Sequence, residues 1–248
     1  MASRTRTPFL TAHWRWLLMV NYRVDPAVLE PMVPRGTELD LWRGECLASM
    51  VGFLFDDTKL FGRVPIPLHR RFDEVNLRFY VKRVVDGEER RGVVFVKELV
   101  PSRSVTFVAR TLFREKYERA PMRYRIDWRD EANKAQGGDF CYQWRQGNEW
   151  STLRAETAGP LKPLEHGSLA EFITEHYWGY SRQRDGGTLE YAVEHPRWGV
   201  WDAESVRFEA DVASLYGAEF ATALSSQPHS ALVAEGSDVS LFWGVRIA

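Results

Sequence analysis

The chain has 248 residues, 44% hydrophobic and 27% charged, with 33 Lys+Arg against 34 Asp+Glu for a formal charge of -1. It is too apolar for disorder, and its balanced, unclustered charges exclude the basic footprint of a nucleic-acid or anionic-membrane binder. Cys46 and Cys141 stand far apart in no metal or redox spacing, which suits a reducing cytoplasm, and the apolar run WLLMV (16–20) is too short for a signal-peptide core or a membrane span.

No linker rich in Pro, Gly and Ser divides the sequence, so residues 1–248 read as a single domain. In chain order, Asp25 before Pro26 has the form of a helix N-cap with proline at the first helical position, and Pro31 limits that helix to a turn or two. TELDLWRGECLASMVGFLF (37–55) alternates up to an Arg43-Gly44 turn and then runs apolar, the pattern of a hairpin. After the proline-interrupted segment 62–71 comes RFDEVNLRFYV (71–81). Here Val75, Leu77, Phe79 and Val81 share one face of a strand, and Glu74, Asn76, Arg78 and Tyr80 share the other. A turn at DGEER leads to GVVFVKELV (92–100), a buried-looking strand expected to pair with it.

Val105, Val108, Ala109, Leu112 and Phe113 repeat at helical spacing and predict an amphipathic helix over 102–114. MRYRIDWR (122–129), FCYQWRQG (140–147) and EWSTLRAETAG (149–159) read as three more strands. Ser168 and Glu171 form a capping-box pattern opening SLAEFITEHYWGY, with Leu169, Phe172, Ile173 and His176 on one helix face. Asp185-Gly186-Gly187 turns into TLEYAVEH, and DVSLFWGVRI (238–247) is the last strand. Many antiparallel strands with a few helices give an α+β, mostly β class, and a large sheet of this kind protects its edges by closing into a barrel.

The sequence has no glycine-rich phosphate loop, no Gly-x-Ser-x-Gly elbow, no His-Glu-x-x-His and no paired Cys-x-x-Cys, and its six histidines lack metal-pair spacing. No cofactor and no metal are expected. The Arg78 guanidinium is a planar fork suited to a carboxylate, which Glu74 and Asn76 could orient. The competing reading is a wet strand face with cross-strand ion pairs. Lys116 is either a Schiff-base amine or a solvated lysine at a helix end. His176, Tyr180, Tyr191 and His195 either converge on a site or are satisfied core residues. The ten tryptophans either line a pocket or fill the core.

Five stretches, LLMVNYRVDPAVLEPMVPRGTELDLWRGECLASMVGF, FDEVNLRFYV, RGVVFVKELVP, VARTLFREKYERAPM and EHPRW, together resemble the YqjF-like family of bacterial domains of unknown function over nearly the whole chain. The resemblance implies a fold like that of acetoacetate decarboxylase, a β-rich closed sheet around an internal cavity with peripheral helices. In that relative a Schiff-base lysine stands in a Gly-Arg-Glu, two residues, Gly-x-Pro-Lys-Lys pattern. Here Arg110 matches, Ala109 replaces the glycine, and Lys116 and Tyr117 fall where Pro-Lys would, so the lysine pair is not matched. Glu74 is similar to the glutamate that lines the relative's cavity.

The expectation is a cytoplasmic protein that binds a small organic acid or carbonyl compound, with a lyase-like reaction on keto acids as the enzymatic version of that reading. In it Arg78 anchors the carboxylate, Glu74 acts as acid, base or orienter, Asn76 gives a neutral hydrogen bond and Lys116 is the nucleophile candidate. Tyr80, Arg110, His176, Tyr180 and His195 are expected around the ligand. Nucleic acid and membrane are not expected as partners, and a homo-oligomer is left open. The alternative is a non-catalytic ligand-binding or assembly protein with a self-filled barrel, which an interior below about 300 Å³ would favour.

Overall fold

A computed structural model describes residues 7–65, 71–102 and 117–248. Its strands are β1 (Leu10–Arg23), β2 (Glu38–Leu39), β3 (Leu47–Leu60), β4 (Val64–Pro65), β5 (Phe72–Val85), β6 (Glu88–Val100), β7 (Tyr117–Arg119) and β8 (Met122–Trp128). They continue with β9 (Gly138–Gln146), β10 (Glu149–Thr157), β11 (Trp178–Arg182), β12 (Thr188–Glu194), β13 (Val200–Glu209), β14 (Ser230–Leu241) and β15 (Val245–Arg246). The helices are short: α1 (Pro26–Leu29), α2 (Leu169–Thr174), α3 (Val212–Tyr216) and α4 (Ala218–Leu224).

The β5–β6 hairpin forms because Asp86 and Gly87 both take positive φ, 52° and 84°, the twist a two-residue turn needs between antiparallel strands. From it the hydrogen-bonded order runs β12-β11-β6-β5-β3-β1-β14, and β14 pairs again with β12 through Val193↔Leu241 and Glu194↔Ser240, which closes the sheet into a ring. The ring is antiparallel except at β6–β11, where Trp178↔Gly92 and Gly179↔Val93 pair in parallel. β13 leaves the ring beside β14 and continues into a second antiparallel layer, β13-β10-β9-β8.

Two cores follow from this arrangement. Outward residues of the ring, such as Leu18, Met50, Val75, Leu77 and Phe79, pack against Phe140, Tyr142, Trp144 and Leu153 of the second layer and Phe220 of α4. Inward residues, such as Leu17, Met19, Val51, Phe53 and Val93, pack with Phe172 and Ile173 of α2. Strands β3 and β5 are thus covered on both faces, which is why β3 reads as one apolar run.

Asp25 caps α1 as expected, accepting from Ala27 N at 2.9 Å. The Arg43-Gly44 turn also forms, between a mutually bonded Trp42 and Glu45, but the strand before it, β2, pairs with β5 and makes no hairpin with β3. Ser168 caps α2, yet the helix ends at Thr174, so His176 lies beyond it on the approach to β11. The helix expected over 102–114 falls almost wholly outside the described residues.

Candidate functional site

β5 carries the site through strict alternation. With Val75, Leu77, Phe79 and Val81 in the core between the layers, Glu74, Asn76, Arg78 and Tyr80 must point into the ring. Their exposures, 2%, 1%, 9% and 1%, exclude a wet strand face. Glu74, Asn76 and Arg78 border a cavity of about 150 Å³ inside the ring, whose remaining walls are mostly apolar and aromatic. Every ring strand contributes to it, for example Trp14 (β1), Phe53 (β3), Glu98 (β6), Gly179 (β11), Tyr191 (β12) and Leu241 (β14). That volume lies below the 300 Å³ of a drug-sized pocket and the ring's own aromatics occupy much of the interior, the outcome that favours the non-catalytic alternative over an enzyme acting on keto acids. It equals a cavity known to admit benzene, which is room for a handful of non-hydrogen atoms.

The polar atoms on this wall are only partly satisfied. Asn76 Nδ2 donates to Glu74 Oε1 at 2.9 Å, which leaves Asn76 Oδ1 buried with no partner among the described residues. Arg78 Nη2 donates to Ile173 O at 3.3 Å and approaches Met19 Sδ at 3.7 Å, its guanidinium lies 5.8 Å from the Tyr80 ring, and its Nε has no described partner. No carboxylate among the described residues is ion-paired with Arg78. A buried, unneutralised guanidinium is costly unless something supplies the anion.

Below Arg78 lies a second polar group. Arg91 Nε donates to Asp40 Oδ2 at 2.7 Å, and His176 Nε2 lies 3.4 Å from both that oxygen and Arg91 Nη2. Burial pushes the His176 imidazole down to about 4, against the pull of Asp40, so the ring is neutral at pH 7. Burial also pushes Asp40 up, but the hydrogen bonds from His176 and Arg91 outweigh it and hold the carboxyl below its usual value. His176 borders the cavity, and its Nδ1 is buried with no described partner. His195 borders it too, stacked on Trp198 at 4.1 Å, with its pKa lowered by burial.

Two expected residues stand elsewhere. Tyr80 points into the ring but does not border the cavity, its hydroxyl bonded to Ser49 and its ring 4.6 Å from that of His176. Tyr180 follows Gly179 on β11, so alternation turns it to the outer core, where its hydroxyl meets Arg90 O at 3.4 Å. It packs in the outer core and does not border the cavity. Tyr191 does border the cavity. Lys116 and Arg110 lie outside the described residues, although Tyr117, next to Lys116 in sequence, is on the cavity wall.

Sequence reasoning missed Glu98, 1% exposed on the same wall, and the donors Trp14 and Thr58, whose Nε1 and Oγ1 are buried without a described partner. The available signal for Glu98 was a lone carboxylate inside the apolar run GVVFVKELV.

Among solved structures, an acetoacetate decarboxylase-like enzyme from Sphingomonas wittichii RW1 superposes with a TM-score of 0.67 at 14% identity, over 99% of this chain and 98% of that one. The enduracididine biosynthesis enzyme MppR complexed with pyruvate gives 0.66 at 13% identity, over 99% and 93%. These likenesses establish an acetoacetate decarboxylase-like fold. The uncharacterized protein YqjF of Bacillus subtilis (strain 168) is 27% identical over 238 residues, 94% of this chain and 90% of its own length. Residues 11–238 match DUF2071, described as an uncharacterized conserved protein, and the chain belongs to that family.

Proposed function

We propose that the ring interior binds a small organic acid whose carboxylate is held by Arg78. The observation that supports this most directly is a buried guanidinium with no ion-paired carboxylate among the described residues, on the wall of a cavity of about 150 Å³. An anionic ligand supplies the missing charge, with a fork-to-carboxylate geometry that guanidinium favours. Asn76, fixed by Glu74, gives a neutral hydrogen bond, and the aromatic walls keep water from competing for Arg78. Pyruvate in MppR is a ligand of this size on a similar fold. The two buried, unbridged cysteines suit a reducing compartment, and among the described residues no helix is long and apolar enough to cross a membrane.

Melting temperature measured against a panel of two- to five-carbon carboxylic and oxo acids tests this reading. A ligand at a hundred times its Kd adds about 2.7 kcal/mol, so the wild type should melt several degrees higher with at least one acid, and Arg78→Met should not respond. If no acid moves the wild type more than the variant, the anchoring role of Arg78 is wrong.

A further inference from the structure

We infer that the acid taken by this cavity is a hydroxy acid rather than its oxo counterpart; the inference rests on the acid-binding reading above. It follows from the polarity of the atoms left over once Arg78 has a carboxylate. Asn76 Nδ2 donates one hydrogen to Glu74, which orients the amide, and the buried atom of Asn76 left without a described partner is Oδ1, an acceptor. Turning the amide over would set Oδ1 against the Glu74 carboxylate, which fixes the assignment while that carboxyl is ionised.

His176 resolves the same way. Its Nε2 faces Asp40 Oδ2 at 3.4 Å, and a neutral imidazole there donates Nε2–H to the anion rather than aiming a lone pair at it. Arg91 Nη2, a donor only, also lies 3.4 Å from Nε2, but the charge-assisted bond to the Asp40 anion at the same distance outweighs it in setting the tautomer. The proton therefore sits on Nε2, and Nδ1 is a buried acceptor on a cavity residue. Arg78 and His176 both lie against the Tyr80 ring and both border the cavity.

An oxo acid brings acceptors only, a carboxylate and a carbonyl, and leaves Asn76 Oδ1 and His176 Nδ1 unpaired. A hydroxyl donates to one of them and still accepts, and Trp14 Nε1 is a buried donor without a described partner that borders the same cavity. Sites built to hydrogen-bond a substrate hydroxyl discriminate strongly against the analogue that lacks it, because their own buried groups then go unsatisfied. An ammonium also donates, and Glu74 and Glu98 border the cavity, so the amino acid is the competitor that the titration below must separate from the hydroxy acid.

Calorimetric titration of the full chain with lactate, pyruvate and alanine, and with 3-hydroxybutyrate and acetoacetate, tests the inference. The hydroxy acid of at least one set should bind about ten-fold or more tighter than its partners. The preference should fall toward unity in His176→Phe, with Arg78-dependent binding kept. Independently of how that variant folds, 15N-labelled histidine spectra of the wild type should show His176 protonated on Nε2, with the Nδ1 resonance moving on addition of the hydroxy acid. Equal or tighter binding of the oxo or amino acid, or a proton found on Nδ1, overturns the inference while leaving an Arg78-dependent acid site intact. Absence of binding by every acid removes both.

Discussion

Glu74, Asn76 and Arg78 were legible because alternation on one strand fixed which residues share a face, but their burial was not, since the same alternation describes a wet face equally well. Only ring closure decides it. Arg78 offers a test at this scale. Removing one partner of a buried ion pair usually costs about 3–5 kcal/mol, whereas Arg78 has no described carboxylate partner to strand. Arg78→Met should therefore leave the urea-unfolding free energy of the ligand-free protein unchanged or raise it, because it removes a buried charge with no described counter-ion. A loss of 3 kcal/mol or more would mean that the guanidinium is neutralised within the protein. Lys116 gives a second test, from sequence: Tyr117 stands where the acetoacetate decarboxylase pattern has the first of its paired lysines, and no adjacent ammonium lowers the amine's pKa. Borohydride reduction with a β-keto acid should leave the Lys116 peptide unmodified, and an added mass there would restore a Schiff-base route.

At the level of elements, the strands with unbroken alternation or a flanking turn were readable, and those with bulges were not. On β1, Ala12 and Trp14 face inward, but Trp16 takes φ 56° at a register shift between Arg15 and Leu18, after which Leu17 and Met19 face inward. One extra residue thus reverses the parity, and a period-2 reading of LTAHWRWLLMVNYR fails. β6 does the same opposite the Leu77/Arg78 shift: Val93 and Phe95 point inward before it and Glu98 after it, which is how a carboxylate that alternation sends outward reaches the cavity. The parallel β6–β11 seam was equally invisible, because it depends on space rather than periodicity. A Cβ on Gly92 would stand 2.6 Å from both Trp178 O and the Tyr180 ring. Gly92→Ala should cost about 1–3 kcal/mol in denaturant unfolding by forcing these strands apart. A neutral result would mean that the seam is looser than the ring requires.

For the molecule as a whole, the buried ionisable groups make stability depend on pH in two opposing ways. His176 titrates near 6.5 when unfolded and is pushed to about 4 by burial when folded, so between those values the unfolded chain binds more protons and stability falls as pH falls. His195, also lowered by burial, acts in the same direction. Asp73 does the reverse. Burial on the outer face of β5 raises it from 3.8 to about 6, so the folded state binds the extra proton across that interval and stability rises as pH falls from about 6 to 4. In the wild type these slopes largely cancel between pH 6 and 4. Asp73 Oδ2 has no described hydrogen-bond partner, so Asp73→Asn removes the carboxyl's titration with little loss of contact. The variant should gain stability over the wild type near pH 7, then lose up to roughly 3 kcal/mol between pH 6.5 and 4 as the His176 slope is left unopposed. Urea unfolding at half-unit pH steps reads both curves. A variant profile as flat as the wild type's would mean that His176 is already protonated in the folded ring, contrary to the neutral imidazole with an Nδ1 acceptor.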